Sequence, residues 1–293
     1  MSSSPSTSQD GYVNSHDGTR LFTRRVLTEG APRAHVLVIH GYAEHCRRYG
    51  FLTDDLSARG FECWTFDHRG HGDSDGPRGY VKDFSHYLAD LDSVLAYVQS
   101  HPERSQAPTI LVGHSMGGLV LARWLQTRNF EDVGLDVRGA FFSSPFFALK
   151  LAVPPIKRLI ANLLALPLPR FALTNELEAD HLTRDEGVQL TWARDTRMVR
   201  KVPVRWFTEA LKAQELAFQC AARVRIATAI HHGAADGVAD PNASERFHDA
   251  MTFEQRELKL WPELRHEIFN EIERAEVFAA LAKWIEARLE GEG

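Results

Sequence analysis

The chain has 293 residues, of which 44% are hydrophobic and 25% are charged, values that are ordinary for a globular protein with a sizeable core. Its formal net charge of −5, with no basic stripe, argues against nucleic acid as a partner. Three widely spaced cysteines exclude a disulfide framework, and the serine-rich start lacks the basic and apolar regions of a signal peptide. We therefore expect a cytoplasmic protein with a disordered lead-in over residues 1–10.

The first half of the chain alternates short apolar runs with amphipathic stretches. Asp17-Gly18 lies between two alternating segments within residues 11–28 and predicts a hairpin of two short strands. Each later apolar run ends in a polar or glycine-rich loop, as the buried strands of a parallel sheet do. The predicted buried strands are residues 34–39, 61–66, 109–112 and 139–143, and the predicted helices between them are residues 47–59, 84–99 and 116–127.

The pattern changes at residue 146. Residues 146–171 are strongly apolar, contain four prolines and predict one short helix at 156–166. Residues 174–204 predict two more helical stretches and no strand, so we interpret residues 146–204 as a helical cap. The earlier pattern then resumes with a helix at 205–222, a strand at 224–230, a helix at 244–250, a strand at 257–260 and a helix at 276–289.

Together these elements predict an α/β fold with a mostly parallel central sheet flanked by helices. Residues 11–145 and 205–293 would form this core, with the cap inserted after the sixth strand. Ligands of such sheets bind at the carboxyl ends of the strands. The segments expected at that edge are His40-Gly41, the loop that begins at Asp67, Ser115 and Ser144-Pro145.

A serine in a glycine-bounded turn is the first candidate for chemistry. The run Gly113-His114-Ser115-Met116-Gly117 follows an apolar strand and opens a helix. This strand, sharp turn and helix present a serine hydroxyl at the top of a sheet, and the flanking glycines avoid clashes within the turn. Ser115 is therefore the candidate nucleophile, provided that the chain supplies a base and an acid.

Both partners are available further along the chain. Asp236 follows the strand predicted at residues 224–230, and His266 follows the strand predicted at residues 257–260. The order Ser, Asp, His is the one that α/β-hydrolases use. Asp240 is the alternative acid, although Pro241 after it suggests a helix cap. The alternative histidines are His114, His231, His232 and His248.

Two backbone N–H groups are candidates for stabilising an oxyanion. One is that of Met116, at the start of a helix, and the other lies near Gly41-Tyr42, after the strand at residues 34–39. The histidine-rich segments do not match the spacing of zinc sites, and the chain contains no G-x-G-x-x-G or P-loop sequence. We therefore expect neither a metal nor another cofactor.

The motifs together resemble one family. The chain is similar to the monoacylglycerol lipase and lysophospholipase branch of the α/β-hydrolases, within the serine aminopeptidase S33-type superfamily. The motifs that carry the resemblance are His40-Gly41-Tyr42-Ala43-Glu44-His45-Cys46-Arg47-Arg48-Tyr49, the segment from Phe66 to Gly76, Gly113 to Gly118, Ser144-Pro145, His232-Gly233-Ala234-Ala235-Asp236 and the segment from His266 to Glu271.

The resemblance implies a serine ester hydrolase with Ser115 as nucleophile, Asp236 as acid, His266 as base, and Tyr42 and Met116 as oxyanion donors. It implies a small lipid ester as substrate, such as a monoacylglycerol or a lysophospholipid, with the apolar part of the cap over the acyl chain and in peripheral contact with a membrane or micelle. The oligomeric state is left open. The chain departs from the family pattern at Asp195-Thr196, where Asp-Pro is usual, at Glu263-Leu264-Arg265 before the histidine, and at the bulky Tyr42.

Several alternative functions use the same fold. One is a small-ester esterase, and another is a cofactor-free perhydrolase. An aminopeptidase-like amidase would need an acidic pair in the cap to bind a peptide amino terminus, for which Glu176, Glu178 and Asp180 are candidates. A non-catalytic binding protein is the remaining alternative, although such proteins commonly lose a residue of the triad.

Overall fold

The structure, a computed structural model, describes residues 7–129, 134–150, 155–174 and 177–290, with only the backbone of residues 155, 157 and 158. The strands are β1 Ser8–Asn14, β2 Arg20–Val26, β3 Ala34–Ile39, β4 Phe61–Phe66, β5 Thr109–His114, β6 Val137–Ser143, β7 Ala172–Thr174, β8 Lys201–Pro203, β9 Thr228–Gly233 and β10 Arg256–Trp261. The helices are α1 Gly50–Ala58, α2 Ser85–Ser100, α3 Met116–Thr127, α4 Pro155–Leu164, α5 Ala179–Leu182, α6 Glu186–Arg194, α7 Val204–Gln219, α8 Pro241–Ala250 and α9 Arg274–Leu289. Short 3-10 turns lie at Cys46–Tyr49, Ala221–Arg223 and Ile268–Asn270.

Eight strands form one sheet in the order β1-β2-β4-β3-β5-β6-β9-β10. The hairpin strands β1 and β2 pair antiparallel, β2 also pairs antiparallel with β4, and the remaining pairs are parallel. Strands β3, β4 and β5 are buried along their whole length, which explains why they read as continuous apolar runs rather than alternating ones.

Helices cover both faces of this sheet. The larger apolar core packs α2, α3, α7 and α8 against one face, and the smaller core packs α1 and α9 against the other. The strand order reverses between β3 and β5, so the loops after these two strands diverge and leave a crevice at their carboxyl ends. The predicted fold class, an α/β fold with a mostly parallel central sheet flanked by helices, is confirmed, and the segment inserted after the sixth strand β6 contains the predicted helices.

Three expectations are corrected. Strand β1 begins at Ser8, so disorder is the wrong description of residues 8–10, where pairing with β2 satisfies the backbone of a polar edge strand; residues 1–6 lie outside the described residues. The cap contains a pair of antiparallel strands, β7 with β8. The sequence analysis missed them because each strand is short and its partner is distant in the sequence. The helix predicted at 205–222 ends at Gln219, and the strand predicted from residue 224 begins at Thr228 because a 3-10 turn intervenes.

Within the described ranges, no helix combines the length and the apolarity that crossing a lipid bilayer requires.

Candidate active site

Ser115 lies at the apex of a strained turn between β5 and α3. Its backbone angles, φ 50° and ψ −118°, are ones that a residue with a side chain rarely adopts. The turn is so tight that a Cβ on Gly113 would lie 2.7 Å from the carbonyl oxygen of Gly117, and a Cβ on Gly117 would lie 2.1 Å from that of Ile39. The glycines of the motif are thus a packing requirement of the turn that holds the serine.

The structure brings the three predicted triad side chains into one hydrogen-bonded line. Nε2 of His266 lies 2.9 Å from Oγ of Ser115. Nδ1 of the same ring lies 2.7 Å from Oδ2 of Asp236. Asp236 is in the turn after β9 and His266 in the loop after β10, so adjacent strand ends supply the carboxylate and the imidazole. This geometry allows the imidazole to accept the serine proton while the carboxylate holds its other nitrogen.

The carboxylate of Asp236 is fixed by backbone and side-chain donors. Its Oδ1 accepts the N–H groups of Val238 and Ala239 at 2.7 and 2.9 Å, and Nε2 of His232 lies 2.9 Å from its Oδ2. Burial alone would raise the pKa of Asp236, but the facing imidazoles and these hydrogen bonds lower it well below its usual range. Asp236 therefore stays ionised in the pH range in which a histidine titrates.

The alternative acid has a different place. Asp240 caps the start of α8, where its Oδ1 accepts the N–H of Asn242 at 3.2 Å. Of the two aspartates between β9 and α8, Asp236 therefore contacts His266 and Asp240 caps the helix.

The environment of His266 suits a base. Burial of the ring disfavours its charged form, but the carboxylates of Asp236, Glu267 and Glu44 outweigh that effect and raise the pKa of His266 above its usual value. The ring of His114 lies 4.9 Å away and has a pKa well below its usual value, first because it is buried and then because His266 is near. His114 therefore stays neutral beside His266, the candidate base.

The remaining alternative histidines are held in other contacts. His231 packs against Phe141 and Trp261, and His248 hydrogen-bonds to the adjacent Asp249 on α8. His232 lies behind Asp236, with its Nδ1 2.7 Å from the hydroxyl of Ser244. It supports the acid rather than facing Ser115.

The loop after β3 passes directly beside Ser115. A Cβ on Gly41 would lie 3.0 Å from Cβ of Ser115, which places the following residue, Tyr42, next to the candidate nucleophile. Met116 is the first residue of α3, and the N–H groups of a first helical turn have no partner within the helix. The two predicted oxyanion donors, Tyr42 and Met116, thus directly follow Gly41 and Ser115, whose backbones lie beside each other.

The bulk of Tyr42 is held between the core and the cap. Its ring stacks on Trp206 of α7 with centroids 3.6 Å apart, and its hydroxyl donates to the carbonyl oxygens of Gly79 and Lys201 at 3.1 Å each. Because Lys201 belongs to β8, this side chain joins the loop beside Ser115 to the cap.

Three buried histidines support the same loop, and the sequence analysis gave them no role. Nε2 of His40 accepts the N–H of His68 at 2.9 Å, so its Nδ1 carries the proton and donates to the carbonyl of Gly41 at 2.6 Å. Burial lowers the pKa of His68 to about 3 and that of His71 to about 4, and that of His40 falls in the same direction for the same reason. All three are neutral scaffold groups. Their positions within the two longest motifs, before Gly41 and after Asp67, were the signal available in the sequence.

The cap closes over the site through polar contacts. Nε2 of His45 lies 2.7 Å from Oδ2 of Asp195, and the N–H of Glu267 donates to the carbonyl of Leu182 at 2.8 Å. Ser115 is only 8% exposed. Asp195 of the unusual Asp195-Thr196 pair is thus a contact between the cap and the core.

Within the described chain, two groups each bring three possible metal ligands within 4.8 Å of one another. They are His16 with Asp17 and the half-buried His86, and the exposed Glu178 with Asp180 and His181. Neither contains a member of the triad. Glu178 and Asp180 are also two of the acidic residues considered for an amidase; the third, Glu176, lies outside the described residues.

The serine turn, the hydrogen-bonded line at the carboxyl edge of the sheet and the cap after β6 define an enzyme of the α/β-hydrolase fold. The chain belongs to the serine aminopeptidase S33 family, whose model matches residues 30–273.

Named relatives agree with this membership. The chain is 30% identical over 251 residues to Phospholipase YtpA of Bacillus subtilis, covering 85% of this chain and 93% of that protein. It is 29% identical over 260 residues to the Monoacylglycerol lipase of Mycolicibacterium smegmatis, covering 88% and 90%. The crystal structure of Paleococcus ferrophilus monoacylglycerol lipase matches with a TM-score of 0.81 and 26% identity, covering 92% of this chain and 99% of that one. The resemblance inferred from the motifs is confirmed.

Proposed function

We propose that this enzyme hydrolyses a lipid-like carboxylic ester through an acyl-enzyme on Ser115. The observation that carries the proposal is the unbroken line from Ser115 through His266 to Asp236, with contacts of 2.9 and 2.7 Å. A serine hydroxyl needs such a base and orienting acid to act as a nucleophile near neutral pH.

In the first half of the reaction, His266 takes the proton of Ser115 at Nε2 as Oγ attacks the ester carbonyl. The N–H groups of Met116 and Tyr42 donate to the oxyanion that forms. Collapse of this intermediate breaks the bond to the alcohol, which leaves with the proton from His266, and the acyl group remains on Ser115. Asp236 keeps the proton on Nδ1 and stabilises the imidazolium.

The second half mirrors the first. Water enters, His266 takes one of its protons, and the resulting hydroxide oxygen attacks the acyl carbonyl. The bond to Oγ breaks, Ser115 regains its proton from His266, and a carboxylic acid is released.

The cap supports a lipid as the substrate. Ile156, Leu159, Ile160 and Leu163 lie one and two turns apart on α4, and their exposed fractions range from 47 to 67%. A helix that turns an apolar stripe outward is typical of contact with a lipid surface. Other apolar side chains of the cap are also exposed, namely Leu166, Leu168, Phe171, Leu173 and Leu190. We propose that this cap face rests on the membrane or micelle that holds the substrate.

The names of the relatives point to the same class, since they include a phospholipase and a monoacylglycerol lipase. We therefore propose a monoacylglycerol or a lysophospholipid as the substrate. A panel of acyl-glycerols, lysophospholipids, short p-nitrophenyl esters and aminoacyl amides, with Ser115→Ala as the control, tests the assignment. Each buried CH₂ contributes about 0.8 kcal/mol, so long acyl chains should be preferred over acetyl.

Other profiles would support the alternatives. A preference for acetyl esters would indicate a small-ester esterase, and turnover of amides alone would indicate an aminopeptidase-like enzyme. Substantial turnover by Ser115→Ala would refute the nucleophile, and no turnover by the wild type on any substrate would favour a perhydrolase or a binding protein.

A further inference from the structure

A buried group of charges lies beside the triad and has no part in the proton transfers. Glu44 follows the Gly41–Tyr42 turn, Arg48 belongs to the 3-10 turn Cys46–Tyr49, and Glu267 comes directly after His266. The exposed fractions of their side chains are 6, 5 and 5%. Burying charged groups is costly unless each is paired, and two carboxylates with one guanidinium leave one negative charge uncompensated within the group. Such an arrangement next to a reacting histidine suggests a role in the reaction.

Glu44 holds the backbone of the loop beside Ser115. Its Oε1 accepts the N–H of Gly41 at 2.6 Å and the hydroxyl of Tyr49 at 2.7 Å. A Cβ on Gly41 would lie 2.8 Å from this oxygen and 3.0 Å from Cβ of Ser115, so the Gly41 backbone is packed between the carboxylate and the serine. This contact holds the His40–Gly41 peptide, and Nδ1 of His40 holds the carbonyl of the next peptide, whose N–H belongs to Tyr42.

Arg48 connects that loop to the loop of the histidine. Its Nε lies 3.4 Å from Oε2 of Glu44, and a terminal nitrogen lies 2.5 Å from Oε2 of Glu267. The side-chain amide of Asn270 donates a further hydrogen bond to the same oxygen of Glu267 at 2.8 Å. The guanidinium therefore bridges the loop that carries Tyr42 and the loop that carries His266.

The same charges act on the base. The titratable groups that face His266 are Asp236 from the turn after β9, His114 from β5, Glu267 from its own loop and Glu44 from the loop after β3, with Arg48 between the two glutamates. Burial, followed by the charge of Glu267, raises the pKa of Glu44 to about 7. Its charge therefore changes in the pH range in which a catalytic histidine titrates.

We propose that Glu44 is a positioning residue for ester hydrolysis, which anchors the backbone of Gly41 from which the N–H of Tyr42 is presented to the oxyanion, and which Arg48 bridges to the Glu267 that adjoins His266. This inference rests on the proposed function, because it assigns Glu44 a role in that reaction. It predicts an effect on kcat rather than on substrate binding, since the oriented N–H meets the substrate oxygen most strongly in the transition state.

Two variants separate the roles of Glu44, with p-nitrophenyl butyrate as the substrate. Glu44→Ala removes the acceptor for Gly41, and we expect kcat to fall about 10- to 100-fold while KM changes less than about twofold, below the full effect of losing an oxyanion donor. Glu44→Gln keeps an acceptor oxygen but removes the charge. It should lower kcat less than Glu44→Ala does and move the acidic limb of the kcat/KM profile to lower pH by up to about 1 unit. The shift stays below that of a full unit charge, because Glu44, with a pKa of about 7, is only partly ionised there.

Glu62→Gln is the matched control. Glu62 is also buried and paired, 2.8 Å from Arg25 and 3.0 Å from His35, but it lies near the amino end of β4, at the opposite edge of the sheet from Ser115. We expect Glu62→Gln to lower the melting temperature without changing kcat or the acidic limb. Glu267→Gln is a second test, which remains available if Glu44→Ala does not fold. It should shift the acidic limb of the kcat/KM profile in the same direction as Glu44→Gln.

The outcomes are distinct. If the wild type is active and the pH profiles of kcat/KM for Glu44→Gln and Glu267→Gln coincide with that of the wild type, this inference is overturned. It is also overturned if Glu44→Ala changes only KM and leaves kcat unchanged. A wild type that neither turns over the ester nor reacts at Ser115 contradicts the proposed function instead.

Discussion

The substitution Asp236→Asn tests how the triad controls the histidine. Oδ1 of Asp236 accepts two backbone N–H groups, from Val238 and Ala239, so the carbonyl of an asparagine would take that position. Its amide nitrogen would then face Nδ1 of His266 in place of the Oδ2 that now lies 2.7 Å away. The amide donates to Nδ1, so the ring carries its proton on Nε2 and no longer accepts the proton of Ser115.

Loss of the correct tautomer lowers kcat by about 10⁴-fold, which corresponds to about 5.4 kcal/mol of transition-state stabilisation. The assay is the steady-state kcat for a p-nitrophenyl ester at pH 8. Asp240→Asn is the matched control, because Asp240 caps α8 and asparagine caps helices equally well. It should leave kcat within about twofold of the wild type. A loss of less than tenfold in Asp236→Asn, or a comparable loss in Asp240→Asn, would refute the assignment of the acid.

Three further predictions concern the base, the serine turn and the cap. Because His266 must be neutral to accept a proton and its pKa is raised, kcat/KM should fall as the pH drops through a value above 6.5, and a limb centred below 6 would contradict this. Gly117→Ala should lower the free energy of unfolding by more than about 3 kcal/mol in urea titrations, since its Cβ would lie 2.1 Å from the backbone carbonyl of Ile39; a loss below 1 kcal/mol would show that the turn relaxes. Replacing Leu159 and Leu163, 53 and 67% exposed, by serine should weaken binding to phospholipid vesicles in co-sedimentation while kcat for a soluble short ester stays the same; unchanged binding would exclude this face as the contact.

Local sequence predicts the parts of this fold that depend on local physics. The strand Phe61–Phe66 and the helix Met116–Thr127 have the bounds that the apolar patterns predict, because burial on both faces and a glycine-bounded turn leave a direct trace in the sequence. The rule that parallel strands present their carboxyl ends at one edge predicts that Ser115, Asp236 and His266 lie together.

The missed features depend on contacts between distant residues. Strands β7 and β8 have three residues each, too few for a pattern, and they form because they pair with each other. Arg48 and Glu267 each lie in one of the motifs, but they are 219 positions apart, and nothing in the sequence pairs them. Only the fold shows that they are buried together beside His266.

The central claim is that Ser115 is the nucleophile, and covalent labelling tests it most directly. A fluorophosphonate should add one phosphonyl group to the wild-type protein, and peptide mapping by mass spectrometry should place it on Ser115, with no adduct on the folded Ser115→Ala variant. An unlabelled wild type, or an adduct on another residue that persists in Ser115→Ala, would contradict the account.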